Sequence, residues 1–317
     1  MPRIAYILLN NAGLTGGQKV ILRHVEALVE LGFEACCLVD ESRPPPRWLE
    51  HCAPMISSRE IRDDDILVIP DDGTPALGMA ARRAQRSVIL CQSSPIHLAL
   101  GGLGLLTEHD DRLSTFISVG PRHSELLRRL FPAATVETVP CFVDERVFRP
   151  GAKQFTGVLV PRKRPEEASA IRLLARRLHP ATADLGWHRL EDATEAQVAA
   201  AFAASSVHLS LSRRESFGLT TLEAMASGCV CAGFTGLGGR EYADADNGFW
   251  AEEEDCVAAA DALAQAVSLV RAGGGPLRRR VEAGLATAQR WTYARFRQEL
   301  EAAWMRLAPE TRRVGAP

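Results

Sequence analysis

Short apolar runs alternate with amphipathic stretches along this chain, and that alternation constrains the fold more than any other feature. Ile4 to Leu9 reads as a buried strand, followed by a turn-rich loop from Asn10 to Gly17. A helix from about Gln18 to Leu31 comes next, with Val20, Ile21, Val25, Leu28 and Val29 at helical spacing. Gly32 ends it, and Ala35 to Val39 is a second strand. A strand, helix, strand opening predicts a parallel sheet, because the helical crossover returns the chain in its original direction. Asp65 to Ile69, Val88 to Cys91 and Thr115 to Val119 read as further strands. Pro121 to Leu130 reads as a helix with Pro at an early position, where its missing N–H costs nothing.

Between Val143 and Thr156 the pattern lapses into Asp144-Glu145-Arg146 and Arg149-Pro150-Gly151, which reads as a domain boundary. A second alternating series starts at Gly157 to Val160. It continues through helices at Glu166 to Leu178 and Ala193 to Ala204, a strand at Val207 to Leu211 and a helix at Leu219 to Ser227. A strand at Cys229 to Ala232 and a helix through Val257 to Val270 follow. At 317 residues there is material for two cores of about 150 residues each. The expected fold class is α/β, two doubly wound Rossmann-like domains facing a central cleft, over residues 1–148 and 149–290. A closing helix within 291–317 is expected to cross back towards the first domain, and the tail from Thr311 is expected to be frayed.

With 37 Lys and Arg against 39 Asp and Glu the net charge is −2, which argues against nucleic acid as a partner. The run Ile4 to Leu9 is shorter than a signal-peptide core, and no stretch reaches the roughly 20 apolar residues of a membrane span. The expectation is a cytoplasmic protein, with contact at the inner face of the membrane left open. Its eight cysteines form no CxxC pair and read as free thiols packed as small core residues.

The densest chemistry lies in Ser212-Arg213-Arg214-Glu215-Ser216-Phe217-Gly218-Leu219-Thr220-Thr221-Leu222-Glu223-Ala224-Met225-Ala226-Ser227-Gly228. A strand delivers the chain to a polar loop holding Glu215, Gly218 permits close approach of a ligand to the backbone, and a helix starts near Leu219. The unpaired N–H groups of a first helical turn, with the positive end of the helix dipole, suit a phosphate. Taken singly, Glu223 reads as a dipole partner and Glu215 as a solvated loop charge. Pro161-Arg162-Lys163-Arg164-Pro165 follows the strand at Gly157 to Val160, and three adjacent cations there repel one another unless an anion lies among them. The loop Gly13 to Lys19 contains neither G-x-G-x-x-G nor a P-loop pattern. Asp63-Asp64-Asp65 reads as solvated turn carboxylates rather than a metal site.

The ordered set Glu215-x7-Glu223 within S-R-R-E-S-F-G-L-T-T-L-E-A-M-A-S-G closely resembles the donor-site signature of the GT-B glycosyltransferases, above all glycosyltransferase family four. The likeness extends over Gly16-Gly17, Ser118-Val119-Gly120, Val139 to Asp144, Gly236 to Glu241 and Asn247-Gly248. By this resemblance the chain is a retaining transferase that takes a sugar from a nucleotide diphosphate to a glycan or glycolipid acceptor. Glu215 then meets the donor sugar and Glu223 the nucleotide ribose. Backbone groups at Phe217, Gly218, Leu219 and Thr220 meet the sugar and diphosphate. Lys163, assisted by Arg162 or Arg164, neutralises the departing diphosphate, so no metal or other cofactor is expected. Gly16 and Gly17 bring backbone N–H groups to the diphosphate and the acceptor edge. Gln92 takes the place of a histidine common in the family, and an amide cannot serve as a titrating base. Two rival readings keep the fold: an inactive nucleotide-sugar binding protein, and a nucleotide-sugar epimerase.

Overall fold

The computed structural model describes residues 1–8, 15–40, 47–82 and 85–313. They form two units, Met1–Cys141 with Ala294–Pro317, and Phe142–Tyr293. The expected strand end at Leu9 and loop positions 10–14 lie outside the described residues.

The first unit runs β1 (Ile4–Ile7), α1 (Gly16–Glu30), β2 (Ala35–Leu38), β3 (Met55–Ile56), β4 (Ile66–Pro70), α2 (Thr74–Arg82) and β5 (Ser87–Cys91). It continues through α3 (Pro95–Leu100), α4 (Leu103–Glu108), β6 (Thr115–Ser118), α5 (Pro121–Leu130) and β7 (Thr135–Thr138). Among the described residues the sheet is seven-stranded and parallel, in the order β3-β2-β1-β4-β5-β6-β7. Every residue of β4 and β5 is buried, which is why their sequences are continuous apolar runs rather than alternating ones. Ile69, Ile89, Phe116 and Leu127 sit in one core with Leu77 from α2.

The second unit runs β8 (Gln154–Leu159), α6 (Pro165–Leu178), β9 (Gly186–Arg189), α7 (Glu195–Ala204), β10 (Ser205–Leu211) and α8 (Leu219–Ala226). Then come β11 (Val230–Phe234), the single turn α9 (Gly236–Gly239), β12 (Gly248–Ala251), α10 (Cys256–Ala272) and α11 (Gly274–Gln289). Its parallel sheet has the order β12-β11-β10-β8-β9. Leu159, Val207 and Leu209 pack with Ile171 of α6 and Leu263 of α10 on one face of it.

The closing helix α12 (Tyr293–Leu307) buries Trp304 and Phe296 within the first unit. Trp304 Nε1 donates to Tyr6 Oη at 3.3 Å, and Phe296 lies 5.0 Å from the ring of His24. The frayed tail expected from Thr311 is corrected in part. Thr311 is fully buried and its carbonyl accepts from Glu34 N at 3.0 Å, because the chain there continues alongside residues 33–34. Asp65 also departs from expectation: it is buried and paired with Arg3 at 2.7 Å, not solvated. No helix among the described residues is long and apolar enough to cross a membrane, and all eight cysteines are free thiols.

Each sheet contains one place where the strand order reverses. In the first unit it lies between β1 and β4; in the second, between β8 and β10. Open α/β sheets place their ligands beyond the carboxyl ends of the strands at such a reversal.

Candidate functional site

The reversal point of the second sheet carries two loops, 160–164 after β8 and 212–218 after β10. Lys163 projects from the first and Glu215 from the second, and Lys163 Nζ lies 2.9 Å from Glu215 Oε1. The other carboxylate oxygen of Glu215 accepts from Arg213 N at 2.7 Å, so the side chain braces its own loop while presenting charge to the neighbour. Arg162, Lys163, Ser212, Glu215, Thr220 and Thr221 line a polar hollow.

The helix that follows has no side-chain cap. Its N-cap is Gly218 at φ +83°, a left-handed conformation in which any side chain is strained. The Gly218 carbonyl accepts from Tyr242 Oη at 2.6 Å, which fixes the turn from below. With no capping oxygen, the first-turn amides at Leu219 and Thr220 keep the positive end of the helix dipole undamped. Gly228 at φ +77° terminates α8, with Cys229 N bonded to Ala224 O.

Arg164 departs from the expectation that it assists at the diphosphate. Its guanidinium is fully buried over the Phe234 ring, pairs with Glu253, Glu254 and Glu167, and donates to Ser212 O at 3.1 Å. Glu253 in turn accepts from Gly236 N at 2.8 Å. A cation buried this completely needs acids around it, and these leave it no face towards the hollow. Arg164 therefore ties the β8 and β10 loops together, and of the three adjacent cations Arg162 and Lys163 are the exposed ones.

Phe217 is buried against Trp291, edge to face at 4.9 Å, and its own role is to pin the loop to the core. Glu223 lies one turn inside α8, largely buried, and is not among the residues lining the hollow. Burial pushes the Tyr242 hydroxyl far above its ordinary value, and Glu215 and Glu223 both add to that rise, so the phenol senses both carboxylates. Tyr242 and His208 were not singled out by sequence reasoning. Tyr242 closes the Gly236 to Glu241 segment and carried only that signal, whereas His208 carried none.

In the first unit, the start of α1 and the loops after β4 and β5 come together. Gly16 and Gly17 form the first turn of α1, capped by Thr15, whose Oγ1 accepts from Gln18 N at 3.3 Å. A Cβ on Gly17 would fall 2.9 Å from Gln92 Nε2, so the glycine lets the amide approach the helix start. Gln92 is held by Asp71: the buried carboxylate accepts from Gln92 N at 3.3 Å and Ser93 N at 3.2 Å. Burial pushes the Asp71 carboxyl up to about 7, Asp72 adds to the rise, and the Ser93 and Gln92 donors pull the other way. His97 sits in the first turn of α3 with Nδ1 3.2 Å from Ser94 Oγ.

Residues 151–269 match the family model described as glycosyl transferases group 1. The matched span contains the entire hollow, from Val160 to Thr221. Over 308 residues the chain is 25% identical to the alpha-1,6-glucosyltransferase of Actinobacillus pleuropneumoniae serotype 7 (strain AP76), covering 93% of this chain and 92% of that one. Among solved structures, sucrose-phosphate synthase from Thermosynechococcus elongatus superposes with a TM-score of 0.73 at 16% identity, over 98% of this chain and 100% of that one. Anabaena HepE in complex with UDP and glucose gives 0.66 at 14% identity, over 96% and 100%. The two parallel-sheet Rossmann-like units are those of the GT-B fold.

Proposed function

We propose that the protein is a glycosyltransferase that moves a hexosyl group from a nucleoside-diphosphate sugar to a glycan or glycolipid acceptor, with retention and without a metal ion. One observation carries the reading: Lys163, Arg162, Glu215 and the uncapped start of α8 converge on a single hollow at the reversal point of the second sheet. A departing diphosphate gathers negative charge as the glycosidic bond breaks. Two cations and a set of preoriented amides stabilise that charge more than they stabilise the bound donor, which is what lowers the barrier. Lys163 is then drawn from Glu215 to the phosphates, and Glu215 is released to accept hydrogen bonds from hydroxyls of the sugar. Glu223 serves the ribose. Gln92, set against Gly17, offers an amide that orients a hydroxyl but takes no proton.

The relative described as an alpha-1,6-glucosyltransferase supports glucose as the transferred sugar. An α linkage made from UDP-glucose, whose own anomeric bond is α, is retention. The test is incubation of the purified protein with UDP-glucose and a panel of glycan and glycolipid acceptors, with and without EDTA. Release of UDP with formation of an α-glucoside, unchanged by EDTA, is expected. Isomerised donor, or tight donor binding with no turnover on any acceptor, would replace this reading with one of its rivals. No binding of UDP-, GDP-, TDP- or ADP-sugars would overturn the donor site itself.

A further inference from the structure

The hollow has one wall whose chemistry the diphosphate reading leaves unused. His208 lies in β10 beside β8, almost fully buried, and lines the hollow together with Val160, Thr220 and Thr221. Its ring packs edge to face on Phe202 at 5.3 Å. Nδ1 stands 3.1 Å from the Val158 carbonyl oxygen. A carbonyl only accepts, so Nδ1 carries the proton and Nε2 presents a lone pair. That Nε2 is buried and has no hydrogen-bond partner among the described residues.

The neighbouring hydroxyls do not serve it. Ser210 donates its single proton to Phe234 O at 2.6 Å, which makes Thr221 the donor in its 2.8 Å contact with Ser210. Burial lowers the His208 imidazole to about 4, so the ring stays neutral and the lone pair stays available at physiological pH. A buried acceptor in a polar hollow is costly until a donor reaches it.

We infer that His208 Nε2 is a binding residue of the donor site, accepting a hydrogen bond from a hydroxyl of the nucleoside-diphosphate sugar. The inference rests on the donor reading given above. The hydroxyl belongs either to the ribose or to the hexose, two sources of one chemistry.

Two substitutions separate this role from support of the strand. His208→Asn places an amide where Nδ1 stands, keeping the Val158 bond and removing the acceptor. His208→Gln reaches to the Nε2 position with an amide oxygen and gives up the Val158 bond. Calorimetric titration of wild type and both variants with UDP and with UDP-glucose, alongside melting temperatures, reads the outcome. His208→Asn is expected to melt near wild type yet bind about tenfold more weakly, and His208→Gln to melt lower yet keep the affinity within about threefold. A loss shared by UDP and UDP-glucose assigns the ribose hydroxyl; a loss confined to UDP-glucose assigns the hexose. Affinity unchanged in His208→Asn, or falling in step with melting temperature in both variants, overturns the inference and leaves the donor reading standing. Wild type binding none of UDP-, GDP-, TDP- and ADP-glucose overturns both; if one of the other three binds in place of UDP-glucose, the same comparison is run with it and its nucleoside diphosphate.

Discussion

Lys163 Nζ and Glu215 Oε1 are 2.9 Å apart, although they arrive on loops that follow different strands. The pairing exists because β8 and β10 are neighbours at the reversal of the strand order, so their outgoing loops face each other. Both side chains remain about one-third and one-quarter exposed, which makes the pair a weak stabiliser and leaves both groups free to exchange partners when an anion enters.

Lys163→Ala is therefore expected to cost function and not stability. On the proposed donor reading, loss of this cation from the leaving group is expected to lower kcat by about 10²–10³-fold, while the melting temperature stays within about a degree of wild type. Steady-state kinetics with UDP-glucose and thermal denaturation check the two halves.

Arg164→Ala is expected to do the reverse. It leaves Glu253 and the Ser212 carbonyl without their donor and opens space over Phe234. Removing a buried cation from its acids costs about 3 kcal/mol. Urea denaturation should show that loss, and donor affinity measured at low temperature should fall less than in Lys163→Ala.

Asp71 gives a pH dependence with a definite sign. Its folded-state carboxyl titrates near 7, above its ordinary value of 3.8. Between those two values the folded chain holds a proton that the unfolded chain has lost. Stability contributed by this group is thus complete in acid and is lost as pH rises towards and through 7, at up to about 1.4 kcal/mol per pH unit. Asp71→Asn keeps an acceptor for Ser93 N and abolishes the titration. The difference in unfolding free energy between wild type and Asp71→Asn, followed from pH 4 to 8, should slope accordingly; a flat difference would contradict the burial argument.

Gly17→Ala adds a methyl group 2.9 Å from the Gln92 amide. The amide is the end of a flexible side chain and moves aside cheaply, and alanine favours the helix, so the melting temperature is expected to hold or rise slightly. Displacing Gln92 from its place is expected to lower turnover by about tenfold. Unaltered kinetics in this variant would remove Gln92 from the list of orienting groups.

Legibility in the sequence followed burial. The helix at Pro121 to Leu130 is found as read, and β4, β5 and β10 stand within a residue or two of their apolar runs. The strands absent from the reading, β3, β7, β9 and β12, include all four sheet edges. β9 is Gly186-Trp187-His188-Arg189 and mostly exposed. An edge strand hydrogen-bonds on one side only and needs no continuous apolar run, so periodicity has nothing to report there.

The sequence by itself determined the two α/β series, the glycine that opens α8 and the glycine that closes it, because each depends on residues adjacent in the chain. Only the tertiary structure decided which of Arg162, Lys163 and Arg164 turn outward, that Asp71 holds the loop of Gln92, and that His208 reaches the hollow. Side-chain direction in a loop or a strand is set by what distant segments place beside it. For Arg164 that is Glu253 and Glu254, and for His208 it is the carbonyl of Val158.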